Sequence, residues 1–334
     1  MEPTLDNTTR ASDLVRHYAS EVAGKTILVT GPSPGSLGDS FVRQVAAGKP
    51  AMFILAGRSV AKLQDLIDEL KSSHPEVKVK TLPLNLLSFA DVRKAAENVK
   101  SWDDVPHIDI LVNNAGIMAV PYALTDDGFE SQFQTNHLSH FLFTNLIMDK
   151  LLASPSGAPR VGCVSSMGHS VGHIRWTDYN FNEGKNYNKW FAYGQSKTAN
   201  ALMALGLAER LGHKGLLAFS LCPGQITTNL ASHEADNLAA FIGDLMEAHR
   251  IYGNKTMWGF DGVRRKDLDQ GVSTHVLAAF NTTVCEPATN GAYLTDCHIA
   301  DPYKEEVYPW ATSKVEADKL WKLSEKLVHQ EFSY

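Results

Sequence analysis

The chain has 334 residues, 44% of them hydrophobic and 20% charged, with a formal net charge of -6. One α/β domain can absorb that length, and the composition is ordinary for a globular enzyme. The acidic balance argues against nucleic acid, whose phosphates need a basic face.

The first 24 residues form an extension without the apolar core of a signal peptide, and no run of 18 or so apolar residues follows anywhere. Four cysteines (Cys163, Cys222, Cys285 and Cys297) show no C-x-x-C spacing and are too few for a disulfide framework. The expectation is a soluble, cytoplasmic protein with no integral membrane segment. The first predicted strand, Thr26–Thr30, runs into "GPSPGSLG" and a helix at Asp39–Ala47. Glycines at 31, 35 and 38 permit close backbone approach, and a helix start offers free N–H groups to a pyrophosphate. Pro32 and Pro34 each remove a donor, which shifts that work to Gly35 through Gly38.

Apolar strands then alternate with segments of helical period. Strand Met52–Ala56 precedes helix Val60–Lys71, and strand Val77–Leu82 precedes helix Ala90–Lys100. Strand Ile108–Asn113 leads to a long helix, Phe129–Leu152. Strands Arg160–Ser165 and Leu216–Leu221 flank a helix at Tyr193–Leu211. Helix Leu268–Phe280, strand Ala292–Leu294 and a tail helix, Ser313–Gln330, complete the chain. Strands of this kind, each followed by a helix, imply a Rossmann-type, doubly wound parallel sheet covered on both faces. We read one catalytic domain over 25–300, with insertions near 168–191 and 228–266 and a helical extension over 301–334.

Tyr193 and Lys197 share one helix face, one turn apart, and theirs is the only Y-x-x-x-K in the chain. A free tyrosine titrates near 10, and a neighbouring ammonium favours its phenolate. That makes Tyr193 a proton carrier for alcohol–carbonyl interconversion. Ser166 ends a strand at the edge where open α/β sheets bind ligands, and its hydroxyl can donate to an oxygen gaining charge; Ser165 is its rival. Asn136 is a mid-helix amide, disfavoured there unless it bonds something.

"TGPSPGSLG" resembles the T-G-x-x-x-G-x-G loop of the short-chain dehydrogenase/reductase superfamily with one residue inserted, most simply Ser36. "DILVNNAGIM", "TNHLSHF", "RVGCVSSMGH", "YGQSK" and "CPGQITTNL" follow in the family's order, so the resemblance covers roughly residues 25–230. "LTDDGFESQFQTNHLSHFLFTNL" and "AYGQSKTANALM" look closest to the retinol-dehydrogenase-like branch. The resemblance implies a catalytic set of Asn136, Ser166, Tyr193 and Lys197, with Lys197 on the nicotinamide ribose and Asn136 ordering a relay water. It places the cofactor against Gly31, Ser33, Gly35, Ser36, Leu37, Gly38, Asn113, Ala115, Gly116, Tyr193, Lys197, Pro223, Gly224, Ile226 and Thr227. Asn85 and Leu86 fall at the adenine, with Asn85 where the family usually has Asp. The long helices Phe129–Leu152 and Tyr193–Leu211 are those that pair across family dimers, so a homodimer is possible unless the tail reshapes that face.

The second strand ends in Arg58 rather than the carboxylate that an NAD enzyme offers to the ribose hydroxyl. Arg58 can form charge-assisted bonds to a 2′-phosphate, so the expected cofactor is NADP. Ser166 and Tyr193 stand 27 residues apart, and the loop between them carries Trp176, Tyr179, Phe181, Tyr187, Trp190 and Phe191. Phe241, Ile242, Leu245, Met246, Met257, Trp258 and Phe260 follow Asn229. Such a lining suits a bulky lipophilic or aromatic carbonyl or alcohol, although these rings can equally pack the insertions onto the core. The His137/His140 and His169/His173 pairs have no zinc pattern around them, so no metal is expected, and His169 is placed at the substrate mouth. The rival readings are a non-redox enzyme on the same fold (an epimerase or dehydratase) and a non-catalytic dinucleotide-binding protein.

Overall fold

A computed structural model describes residues 4–230, 238–254, 265–305 and 307–334. Its strands are β1 (Thr26–Thr30), β2 (Met52–Gly57), β3 (Lys78–Pro83), β4 (Ile110–Asn113), β5 (Arg160–Val164), β6 (Leu217–Cys222), β7 (Gln225–Ile226), β8 (Arg265–Lys266), β9 (Tyr293–Thr295) and β10 (His298–Ile299). Eight of them form one sheet in the order β10-β9-β6-β5-β4-β1-β2-β3. All its pairings are parallel except that of β10, which turns back on β9 through Asp296 and Cys297. β1, β4, β5 and β6 are buried along their whole length, as expected of strands covered on both faces.

The helices start where side-chain caps allow. Ser36 caps Leu37–Ala46, Ser88 caps Phe89–Ser101 and Asn188 caps Lys189–Leu211, each accepting an N–H from the first turn. One apolar layer gathers Phe133, Phe141, Leu202 and Trp321 on one side of the sheet. The other gathers Phe41, Phe53, Phe219 and Phe280, together with Leu14 and Val15 from the N-terminal extension. That extension is thus structured: helix Ala11–His17 buries its apolar stripe, and Arg10 and Ser12 bond Asp269.

Two expected helices are broken. Phe129–Leu152 resolves into Ser131–Phe133, a π-helical turn at Gln134–Leu138, then Ser139–Leu146 and Met148–Leu152. Leu268–Phe280 is interrupted at Val272. The small β7–β8 sheet was not foreseen, because two residues per strand carry no readable period.

The C-terminal helix Lys314–Leu327 settles on the two helices that the resemblance would pair between subunits. Trp321 meets Phe141 edge-on at 4.9 Å and lies over Gly206, while Arg210 stacks on its ring at 4.4 Å. Ser324 bonds buried His137 at 2.8 Å. This part of the expected dimer face is therefore packed within the chain. No helix among the described residues is long and apolar enough to cross a membrane.

Candidate active site

The strand order reverses between β1 and β4, and the glycine loop leaves β1 at that crevice. The approach is tight. A Cβ on Gly31 would lie 2.8 Å from that of Ala115, and one on Gly38 would lie 2.6 Å from the Asn114 amide nitrogen. Asn114 donates to the Thr30 carbonyl at 2.9 Å. Thr30 Oγ1 accepts the N–H groups of Asn114 and Ala115, at 3.0 Å each.

Within the loop, Gly35 donates its N–H to Asp39 at 2.9 Å and Ser36 donates to the Ser33 carbonyl at 3.0 Å. Asp39 is held in turn by Arg43 at 2.9 Å. The four-donor cradle expected over Gly35–Gly38 therefore narrows. Among the described residues, the N–H groups of Leu37 and Gly38 have no acceptor and remain available to an anion.

Arg58 stands exposed just past β2. Asn85 closes a local turn, its oxygen accepting Leu87 N–H at 3.2 Å and its amide donating to Asp91 at 3.0 Å; Leu86 is buried in the core. Asn113 donates to Thr144 at 2.9 Å behind β4. On the far side of the crevice, Pro223 leads to Gly224 at φ +92, where a Cβ would meet the Lys266 side chain at 3.1 Å. Ile226 pairs with Lys266 across β7–β8, and Thr227 is exposed beyond it.

Ser166, Tyr193 and Lys197 converge beyond the carboxyl end of β5. Gly168 marks the contact: a Cβ there would lie 2.6 Å from Tyr193 Cε1 and 3.4 Å from Ser166 Oγ. Ser166 Oγ accepts Gly168 N–H at 3.0 Å and faces the phenol. Ser165 Oγ points elsewhere and donates to the Lys197 carbonyl at 2.8 Å. Lys197 Nζ donates to Val164 O at 3.0 Å and lies 5.6 Å from the centroid of the Tyr193 ring.

Both groups are sealed from solvent, and that decides their electrostatics. Burial lowers the Lys197 ammonium to about 8 and pushes the Tyr193 phenol well above its ordinary value, with Ser166 pulling the other way. The expected lowering of Tyr193 by Lys197 is thus outweighed by desolvation, which penalises the phenolate.

Asn136 sits in the π-helical turn. Its Oδ1 accepts Ile117 N–H at 2.9 Å, and its Nδ2 donates to Ile117 O at 2.9 Å and Ser196 Oγ at 2.8 Å. Its side chain clamps the strand-end loop, and a Cβ on Gly116 would lie 3.1 Å from its oxygen and 3.5 Å from Lys197 Nζ.

The short chain dehydrogenase family model matches residues 25–180. A chloroplastic short-chain dehydrogenase of Brassica napus, TIC 32 B, is 33% identical over 309 residues, 91% of this chain and 88% of its own. The chain belongs to the short-chain dehydrogenase family. Human retinol dehydrogenase 14 is 32% identical over 318 residues, covering 91% of this chain and 86% of its own, which places this short-chain dehydrogenase in the retinol-dehydrogenase-like branch. A solved Mycobacterium paratuberculosis protein superposes with a TM-score of 0.66 at 31% identity, covering 93% of this chain and 96% of its own.

The long loop of this short-chain dehydrogenase divides its aromatics. Trp176 lies under Lys319 at 4.2 Å, Tyr179 stacks on Phe133, Phe181 takes Arg175 at 4.6 Å, and Tyr187 bonds Gln132 and Val120. Those four pack the insertion onto the core. Trp190, Phe241 and Leu245 instead cluster with Tyr193, and Phe191 and Tyr252 pack against them. Ile242 is half-buried and Met246 exposed on the same helix, Leu238–Tyr252, while Met257, Trp258 and Phe260 lie outside the described residues.

His169 does not line a mouth. It is fully buried, accepting the backbone N–H of Tyr308 at 3.2 Å. Sequence reading weighed His140 only as a metal ligand and missed its contacts: it lies 2.9 Å from Thr30 Oγ1 and 3.0 Å from Asn136 O and so ties β1 to the π-helical turn. A histidine in a helical segment gives no sign of such a contact.

Proposed function

We propose that this chain is an NADP(H)-dependent oxidoreductase that interconverts a carbonyl and an alcohol on a bulky lipophilic or aromatic substrate, acting in the cytoplasm. The observation that carries the reading is the juxtaposition of Ser166 and Tyr193 at the carboxyl end of β5, with Lys197 one helical turn on. The crevice fits a dinucleotide: Gly31 and Gly38 leave no room for a Cβ, and the N–H groups of Leu37 and Gly38, at a helix start, have no acceptor among the described residues.

The nicotinamide, when bound, supplies or accepts the hydride. The N–H groups of Leu37 and Gly38 would hold the pyrophosphate, with Gly31, Ser33, Gly35 and Ser36 shaping the loop around it, and Arg58 would pair with the 2′-phosphate. Asn85 would stand on the adenine side, with Leu86 packed in the core beneath it. Asn113, Ala115 and Gly116 form the strand-end wall, and Pro223, Gly224, Ile226 and Thr227 the nicotinamide side. Tyr193, whose phenol burial keeps in its protonated form, gives its proton to the substrate oxygen in the reducing direction and takes it back in the oxidising one. Ser166 donates a hydrogen bond to that oxygen, and Lys197 would bind the nicotinamide ribose and stabilise the phenolate as it forms. Asn136 holds the Gly116–Ile117 wall on the path by which a relay water reaches Lys197. Phe191 and Tyr252, partly buried, supply apolar contact for the substrate, with Trp190 and Phe241 packed behind them.

Incubating the purified protein with NADPH and a panel of alkyl, cyclic and aromatic ketones, and with NADP⁺ and the matching secondary alcohols, tests this directly. Turnover rising with the size and aromaticity of the substrate is expected. No change in nicotinamide absorbance on any member of the panel would overturn it.

A further inference from the structure

We infer that His169 is a positioning residue through which the C-terminal segment at Tyr308 fixes Ser166; the inference rests on the role proposed for Ser166 above. Ser166 opens the 3₁₀ turn Met167–Val171, and His169 lies within that turn, wholly removed from solvent. Its two ring nitrogens face different parts of the chain. Nδ1 is 2.7 Å from the Ser166 carbonyl oxygen, and Nε2 is 3.2 Å from the Tyr308 backbone nitrogen.

A backbone N–H only donates, so Nε2 must present its lone pair. The single proton of the neutral ring then sits on Nδ1 and is donated to Ser166. Burial keeps the ring neutral by lowering its pKa to about 4. The Tyr293 hydroxyl stands 3.3 Å from Nδ1 and packs on the ring, at 5.0 Å between centroids. The result is a two-bond relay from Tyr308 N–H through the imidazole to the carbonyl of the residue whose hydroxyl faces Tyr193.

The segment that drives the relay is itself well seated. Trp310 Nε1 donates to the His169 carbonyl at 2.9 Å, and Trp310 stacks on Tyr308 at 4.7 Å. Tyr308 Oη donates to Asn254 at 2.9 Å, and the Asn254 amide donates to Ser170 O at 3.1 Å. A residue that merely filled space would need no polar contact. One that merely fastened the tail would need Nε2 alone. The bond from Nδ1 to Ser166 is what extends the effect to the reacting groups.

Four variants isolate the relay. Tyr308→Ala removes the ring but keeps the N–H, whereas Tyr308→Pro removes both. His169→Leu removes both ring bonds, and His169→Asn restores a donor near the Nδ1 position. Each is checked for thermal melting and NADPH binding before kcat and KM are measured. Relative to Tyr308→Ala, we expect Tyr308→Pro to lose about tenfold in kcat, since misplacing a reacting group by a fraction of an ångström has that scale of effect, with KM for NADPH unchanged. His169→Leu should lose at least about as much, and His169→Asn should recover part of it. Tyr308→Pro matching Tyr308→Ala, or His169→Leu turning over at the wild-type rate, would overturn the relay. If Tyr308→Pro does not fold, the His169 pair decides alone. Tyr193→Phe runs alongside: undiminished turnover there would indict the proposed function rather than the relay.

Discussion

Lys197 Nζ stands 5.6 Å from the centroid of the Tyr193 ring, with both side chains closed off from water. In the proposed mechanism the ammonium acts on a phenolate that forms during proton transfer, while burial disfavours that phenolate in the resting protein. The pair is therefore set as an acid with a cation behind it. Burial also brings Lys197 to about 8, so the cation is present at neutral pH and is lost as pH rises through that value. Ketone reduction should accordingly be steady below pH 8 and decline above it, and Lys197→Met should be slow with no alkaline limb near 8. A pH–rate profile of both proteins checks this.

Arg58 lies exposed past β2, with no acidic residue between it and Asp65 in the sequence, and the proposed reading sets it at the 2′-phosphate. Charge-assisted hydrogen bonds are worth about 1.5–3 kcal/mol, and Asp at this position adds repulsion, so Arg58→Asp should cut the NADPH/NADH ratio of kcat/KM by about 100-fold. An unchanged ratio would assign Arg58 to the solvated surface.

Gly168 leaves the Tyr193 ring no slack. Gly168→Ala places a methyl 2.6 Å from Cε1, so the ring must shift. We expect kcat to fall about tenfold or more while NADPH affinity holds. Stopped-flow turnover and cofactor titration separate the two effects, and an unaltered kcat would place the reacting group elsewhere.

Glu130 is a buried carboxylate that caps the Ser131–Phe133 turn through the N–H groups of Gln132 and Phe133. Burial raises it to about 7. The folded state thus holds its proton more tightly than the unfolded chain, and the stability it contributes is complete below about 4.5 and lost as pH climbs through 7. Glu130→Gln cannot ionise. Relative to wild type, it should gain on the order of 2 kcal/mol between pH 5 and pH 8 by urea denaturation. Comparing the two proteins at each pH cancels the opposite contributions of buried His137, His140 and His275, which burial holds neutral. A constant difference would mean that the Glu130 site is wet.

The sheet was legible in the sequence because its interior strands are buried on both faces and read as unbroken apolar runs. The Tyr193–Lys197 pair was legible because helical spacing alone puts the two on one face. Less local features were not. The Phe129–Leu152 helix reads as continuous, yet a π-helical turn interrupts it at Gln134–Leu138, where Asn136 grips Ile117 across 19 residues. Asp39 looks like an ordinary first-turn acid, but the longer glycine loop lets it take the Gly35 N–H. Trp176 and Trp190 look alike in composition; one supports Lys319 and the other Tyr193, and only packing tells them apart.

The most direct measurement follows NADPH consumption and alcohol formation together on one aromatic ketone, in wild type and in Tyr193→Phe, with NADPH binding titrated by fluorescence. Equal amounts of cofactor spent and alcohol made are predicted for wild type, with kcat about a thousandfold lower in the variant at unchanged NADPH affinity. Product formed without cofactor oxidation, or a variant as fast as wild type, would contradict the account.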